Sequence, residues 1–272
     1  VPYTQAGQEN SFGWDGMKAG LTMQVALLEK QSKAGQIQVM TLAQAGKWFK
    51  SRYPLTPPTS MVCLDDWRNQ NRKTVWYNSR YYRMNVLWEN GGFFIRDIHR
   101  FDETVVSVTH DSALTSSSLA YGTLPVMDGS LWSGKEPAGI RPLLIASDGS
   151  TAPMTAEGPP QVKELNKTDL AISQPLTGGG SFVMVCREAN VTCTGVDGQG
   201  KPLHWAWDML GGDPLKAAVR KVAAGAIIYQ SAGADYELRL PANSGTFQQL
   251  PTGAIRILPN SSGQLVLSLG GL

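Results

Sequence analysis

The sequence predicts a mainly β protein in which a short α/β stretch precedes a large antiparallel β-sandwich. Three observations lead there. Up to residue 53 the apolar residues recur at helical spacing, beyond residue 60 they recur at alternate positions, and Leu55-Thr56-Pro57-Pro58-Thr59 between them reads as an extended linker stiffened by proline. The expected division is therefore 1–58 and 59–272.

From Asp15 to Ala34, Leu21, Val25 and Leu28 lie on one helical face, and Gly35 supplies the stop. Ile37-Gln38-Val39-Met40 reads as a short strand. Thr41 then caps a second helix, Gln44 completes a capping box three positions on, and Pro54 ends it. A helix-strand-helix unit holds a single strand, which makes no parallel sheet by itself. Either its sheet lies in a preceding part of the protein or the unit packs on the β region. The chain opens on Val1-Pro2-Tyr3 with neither an initiator Met nor a basic-then-apolar leader, which reads as a processed mature protein or a piece of a longer one, the piece being the favoured reading.

Beyond the linker, Thr74 to Tyr77, Tyr81 to Glu89 and Phe93 to Ile98 alternate as strands, with Asn90-Gly91 as a hairpin turn. Residues 111–160 are dense in Ser, Gly and Pro, so long loops are expected there around one strand at Leu143-Leu144-Ile145. Further strands are expected at Asp169 to Ile172, Phe182 to Arg187, Val191 to Gly195, Ala226 to Gln230, Tyr236 to Leu240, Ala254 to Leu258 and Leu265 to Leu269. Asp213 as cap, Pro214 at the first helical position and Gly225 past the end predict a helix over Leu215–Ala224. About ten strands make a large sandwich.

The 272 residues carry 24 Lys and Arg against 22 Asp and Glu, a net charge of only +2 without a basic block, which disfavours a nucleic-acid surface. No run approaches the roughly 18 apolar residues of a membrane span, so no membrane partner is expected. Cys63, Cys186 and Cys193 are too few for a zinc ribbon. A two-residue turn at Ala189-Asn190 would set Cys186 opposite Cys193, within disulfide reach; buried free thiols are the plainer reading. Gly178-Gly179-Gly180 and Gly211-Gly212 do not lead from a strand into a phosphate-cradling helix, and no Gly-x-Ser-x-Gly elbow is present. No cofactor is expected.

Candidate chemistry concentrates between Cys63 and Glu103, which holds three of the eight Trp, namely Trp67, Trp76 and Trp88. Aromatic faces beside Asp, Asn and Arg suit a sugar, whose apolar face stacks on a ring while its hydroxyls meet polar groups. The alternative is an aromatic core with arginines reaching past it to water. Strand parity lets Asp97 and His99 project together, so that Asp97 orients the imidazole; a surface ion pair of Asp97 with Arg100 or Arg83 is the competing reading. His99, His110 and His204 are too scattered for a metal motif, and no complete metal site is expected. Near the start, Glu9 and Asp15 are candidate acids with Trp14 as a stacking wall, on a segment that enters a helix as barrel active-site loops do; Asp15 also suits a helix N-cap.

The run Ser11-Phe12-Gly13-Trp14-Asp15-Gly16-Met17, the Trp48-Phe49 helix with Tyr53-Pro54-Leu55-Thr56-Pro57-Pro58, and Val75-Trp76-Tyr77-Asn78-Ser79-Arg80 with Ile95-Arg96-Asp97-Ile98-His99 resemble an uncharacterised bacterial family described as glycoside hydrolases/deacetylases. In that family a polysaccharide-deacetylase-like β/α barrel precedes a supersandwich-like β-sandwich. The resemblance makes residues 1 to about 53 a helix-strand-helix remnant of the barrel. It implies a carbohydrate-active protein, secreted or periplasmic, acting by hydrolysis on a poly- or oligosaccharide and partnered by its own N-terminal barrel domain. A noncatalytic carbohydrate-binding or structural sandwich is the alternative, and a protein-interaction domain a third. The Asp and His-x-x-x-His motif of deacetylases is absent, so no metal ligand is carried over. The expected site lies where the Trp14-Asp15 loop meets Asp65-Asp66-Trp67 and the strand bearing Arg96, Asp97 and His99. Asp15 or Glu9 would be the acid/base, Trp14 and Trp67 the stacking faces, and the other five the hydroxyl-binding or orienting groups.

Overall fold

The computed structural model describes residues 13–66, 68–106, 110, 123–231 and 234–270, in two units, Val1–Thr56 and Pro57–Leu272. In the first, α1 (Gly13–Lys33) carries Asp15 in its first turn and Lys30 and Lys33 in its last, as the helix dipole favours. Gly35 ends it at φ +70°: its amide bonds Ser32 O and that of Gln36 bonds Gln31 O, a Schellman closure that glycine adopts without strain. Helix α2 (Leu42–Arg52) starts on the predicted capping box, with Thr41 accepting from the Gln44 amide and the Gln44 side chain accepting from the Thr41 amide. Tyr53 folds back on Trp48 and Phe49 at its end.

Two expectations fail in this unit. Residues 37–40 form no strand, because among the described residues of the unit no other strand is present to complete a ladder. Asp15 does not cap α1; it lies inside the first turn, paired with Lys18 at 3.0 Å.

The second unit is a β-sandwich of eighteen strands among the described residues. In chain order they are β1 (Thr59–Cys63), β2 (Lys73–Asn78), β3 (Tyr82–Glu89), β4 (Gly92–Arg100), β5 (Leu124–Asp128), β6 (Gly139–Ile145), β7 (Thr151–Pro153), β8 (Gln161–Glu164), β9 (Leu170–Pro175), β10 (Ser181–Cys186), β11 (Asn190–Val196), β12 (Trp205–Leu210), β13 (Val219–Ala223), β14 (Ala226–Ser231), β15 (Ala234–Arg239), β16 (Gly245–Gln249), β17 (Ile255–Pro259) and β18 (Gln264–Ser268). One sheet runs β1-β2-β3-β4-β6-β12-β17-β16, with β5 attached to β4 and β7 to β6. The other runs β13-β14-β15-β18-β11-β10-β9-β8, and both are antiparallel throughout. Strands β9, β10 and β11 alternate buried and half-buried residues, the period that a sheet with one core face requires.

Aromatic rings fill the space between the sheets. Phe182 meets Trp205 edge-on at 4.9 Å and lies 5.8 Å from Phe93, while Trp205 and Trp207, two residues apart on β12, point the same way. Their polar tips bond to the opposite layer. Trp88 Nε1 donates to the fully buried Gln174 Oε1 at 2.7 Å, Tyr82 Oη to Arg187 O at 2.8 Å, and Tyr77 Oη to Thr168 O at 2.7 Å.

Residues 111–160 prove richer in strands than expected, since β5 and β7 join β6 there. Pro125 is tolerated in β5 because, among the described residues, that strand pairs only with β4, so its missing amide interrupts no ladder. The helix expected to run to Ala224 stops at Ala218, in α3 (Asp213–Ala218), and Gly212 rather than Asp213 is its N-cap. The β-branched Val219 and Val222 continue as β13 because β14 offers a partner, and that pairing outweighs local helix propensity. The β10–β11 turn is centred one residue earlier than a turn at Ala189-Asn190 would be, which sets Cys186 opposite Val191 and Cys193 opposite Met184. Both thiols are buried and free, and Cys63 is exposed.

Two outcomes are expected from this packing. A disulfide-exchange reagent should titrate one thiol, Cys63, in the native chain and three after denaturation without reductant; only one after denaturation would mean a bridge. Gln174→Met should strand the buried Trp88 N–H and lower stability by about 1–3 kcal/mol in urea unfolding.

Candidate functional site

The β4 strand changes face at one residue. Asn85 pairs with Asp97 but Val86 pairs with Ile95, so Arg96 is an extra residue, a bulge, on β4. Ile95 before it and Ile98 after it both enter the core. Asp97 and His99 therefore do project together as expected, although Ile95 and Asp97 do not share a face as simple parity supposes. A second shift in the β4–β5 pairing, at Val126, brings Asp128 directly opposite Asp97.

These three side chains form a buried polar cluster, with exposures of 8% for Asp97, 2% for His99 and 6% for Asp128. The His99 ring is held at Nδ1, 2.8 Å from Thr123 Oγ1. Its Nε2 points between the two carboxylates, 3.3 Å from Asp128 Oδ2 and 4.0 Å from Asp97 Oδ1, off the line of a hydrogen bond to either. Asp128 Oδ1 accepts the amides of Ser130 and Leu131, which leaves Oδ2 turned toward His99. Asp97 Oδ1 accepts the Gly129 amide at 3.2 Å, and its Oδ2 lies 3.7 Å from Arg96 Nε.

Environment drives the two acids apart. Burial pushes the Asp97 carboxyl above its ordinary range, more than Arg96, the Gly129 amide and His99 pull it down. Burial also acts upward on Asp128, but the His99 ring and the Leu131 and Ser130 amides outweigh it and bring the group down to about 2. Asp97 is therefore the weaker acid of the two.

Of the residues expected to form a site, the structure brings Arg96, Asp97 and His99 together. Trp14 and Asp15 are exposed in the first unit, and Glu9 and Trp67 lie outside the described residues. Asp65 is exposed. Asp66 is committed to its own loop, where its carboxylate accepts the amides of Arg68, Gln70 and Arg72 and lets Asn69 and Asn71 adopt positive φ. Tyr77, Tyr82 and Trp88 from the aromatic-rich segment are core residues, as the plainer reading had it. The competing ion pairs of Asp97 with Arg100 or Arg83 are not formed: buried Arg100 donates to Leu269 O and Glu237 O, and Asp97 faces Arg96 instead. Asp128 escaped the sequence reading because it sits in the Ser/Gly/Pro-rich region, although Leu124 to Met127 running into Asp128-Gly129 is a strand-to-turn signal.

A second feature is an open groove of about 640 Å³ across the ends of β4, β6 and β12. The turn at Asn90, the loop of Lys135 to Pro137, α3 and the turn at Thr252–Ala254 border it. Arg141 lies over the Phe94 ring at 4.1 Å, and Gly139 leaves room for that ring, since a Cβ there would stand 2.5 Å from it. Glu89 and Lys216 line the same space.

No protein-family model, no curated protein and no solved structure matches the chain.

Gly129 carries one consequence for the cluster. A Cβ added there would lie 2.4 Å from Arg96 Cγ and 2.8 Å from the Arg96 carbonyl oxygen, so the bulge itself would have to move. Gly129→Ala should cost about 1–3 kcal/mol in chemical denaturation, where an unstrained site would gain stability.

Proposed function

We propose that this chain is the sugar-binding portion of a carbohydrate-active bacterial protein, secreted or periplasmic, and that the sandwich binds glycan without cleaving it. On this reading the sandwich is of the supersandwich kind, and the two helices of the first unit are the last elements of a β/α barrel. Glycoside cleavage or deacetylation then belongs to that barrel, the chain's partner within a longer protein. The resemblance of the Trp14, Trp76 and Ile95–His99 segments to glycoside hydrolases/deacetylases is one support, and by itself an analogy.

The observation that carries the reading is the groove beside Phe94. Its volume falls in the roughly 300–1,000 Å³ range of small-ligand sites. It sets the exposed apolar Pro153 beside Glu89, Arg141 and Lys216, with Phe94 and Leu215 buried beneath, a mixture that accepts a sugar chiefly through its hydroxyls. Arg141 sits over the Phe94 ring at 4.1 Å and anchors to Pro137 O at 3.1 Å, so its remaining donors are pre-positioned. The candidate acid Asp15, in contrast, lies 92% exposed and paired with Lys18.

A glycan array followed by calorimetry on the full chain tests this. Binding of at least one oligosaccharide is expected, without turnover, and Arg141→Ala should weaken it by about 1–3 kcal/mol with the fold intact. A chain silent towards all glycans, or an Arg141→Ala variant that binds as well as the parent, would reduce the sandwich to a structural role.

A further inference from the structure

We infer that the Asp97–His99–Asp128 cluster is a divalent cation site, of the zinc and cobalt class, that ties β4 to β5. The ligand atoms would be His99 Nε2, Asp97 Oδ1 and Asp128 Oδ2, which lie within 4.8 Å of one another.

The argument begins with the imidazole. Its Nδ1 is engaged by Thr123 Oγ1 at 2.8 Å, the orienting contact that metal-bound histidines use to hold a ring and choose its tautomer. With Nδ1–H donating there, Nε2 carries a lone pair. In either tautomer Nε2 is buried, faces two carboxylate oxygens and has no hydrogen-bond partner among the described residues. Placing a lone pair against two acceptors is repulsive, and placing an N–H there off the line of both acceptors leaves a buried donor unsatisfied. A cation between the three atoms relieves either conflict.

Distance and donor type agree with this. Two ligands held at about 2.0–2.1 Å on a tetrahedral ion stand about 3.3–3.4 Å apart. The His99 Nε2 to Asp128 Oδ2 separation is 3.3 Å, and the 4.0 Å separation to Asp97 Oδ1 closes with a small side-chain rotation. One imidazole nitrogen and two carboxylate oxygens, with no thiolate, suit zinc, cobalt or manganese rather than a soft ion. The carboxylates are themselves anchored from behind, Asp128 by the Ser130 and Leu131 amides and Asp97 by the Gly129 amide. The arrangement is thus held before any ion arrives. It also gives the Arg96 bulge a purpose, since in a regular ladder, with Arg96 paired, Asp97 and His99 would share the face of Ile95 and point into the apolar core. The site does not depend on the sugar-binding reading.

The experiment uses the full chain treated with a chelator and then titrated with Co²⁺ alone, with Zn²⁺ as competitor. One equivalent of Co²⁺ should bind with visible d–d absorption, be displaced by Zn²⁺ and raise the unfolding temperature. Asp128→Asn and His99→Gln should each weaken binding roughly 100-fold or more with unchanged far-UV circular dichroism. Where a variant does not fold, imidazole ¹⁵N NMR of the native chain decides, because Zn²⁺ should shift His99 Nε2 before His110 or His204. A native chain whose His99 signals ignore saturating Zn²⁺, or a folded His99→Gln variant that binds Co²⁺ as tightly as the parent, would overturn the assignment.

Discussion

The sandwich depends on a layer of aromatic rings that are dry along their faces, several of which are hydrogen-bonded at their polar tips to the opposite layer. Phe182 supplies apolar area alone, but Trp205, Trp88, Tyr82 and Tyr77 each carry a polar atom into the interior, and the Trp205 N–H donates to Gly263 O at 3.0 Å. An unpaired N–H or O–H there costs about as much as the ring's burial gains per group, so each must reach a partner on the opposite layer. Trp88 to Gln174, Tyr82 to Arg187 and Tyr77 to Thr168 are such bonds, and together they define where one sheet lies over the other. Apolar packing by itself tolerates sliding. These bonds do not.

The same first sheet presents its other face through β4, and there a single inserted residue governs what is displayed. Arg96 shifts the register so that Ile95 and Ile98 both serve the core while Asp97 and His99 turn away from it. Gly129 lets Arg96 lie close, and the second shift at Val126 delivers Asp128 across from Asp97. Two irregularities in neighbouring strands therefore create a buried group of one imidazole and two carboxylates from residues that a regular ladder would scatter over both faces. The groove at the end of the same strands is built by different means, through small residues: Gly139 makes space for Phe94, and Phe94 carries Arg141.

How much of this could be read beforehand varies with the range of the interaction. The Thr41–Gln44 capping box, the Gly35 stop and the Asn90-Gly91 hairpin depend on residues within a few positions of one another, and each is found as expected. The strand at Ile37–Met40 and the helix beyond Ala218 failed for one common reason, a partner strand that the described residues of the first unit lack and that β14 supplies in the second. The β5 strand went unseen because Pro125 is acceptable only on a strand whose amide edge is unpaired, which is a property of its place in the sheet. Asp128 went unseen with it.

By itself the sequence determined the switch from helical to strand period at the Pro57-Pro58 linker, the mainly β class, and the pairing of Asp97 with His99 on one face. All three follow from local stereochemistry and the alternation of apolar residues. The tertiary structure alone decided that Tyr77, Tyr82 and Trp88 are core rather than sugar platforms, that the cysteines stay free, and that His99 faces a second carboxylate 29 positions further along the chain. Those outcomes rest on register between strands distant in sequence, and register is set by the closing of the whole sandwich, which no short stretch of residues encodes.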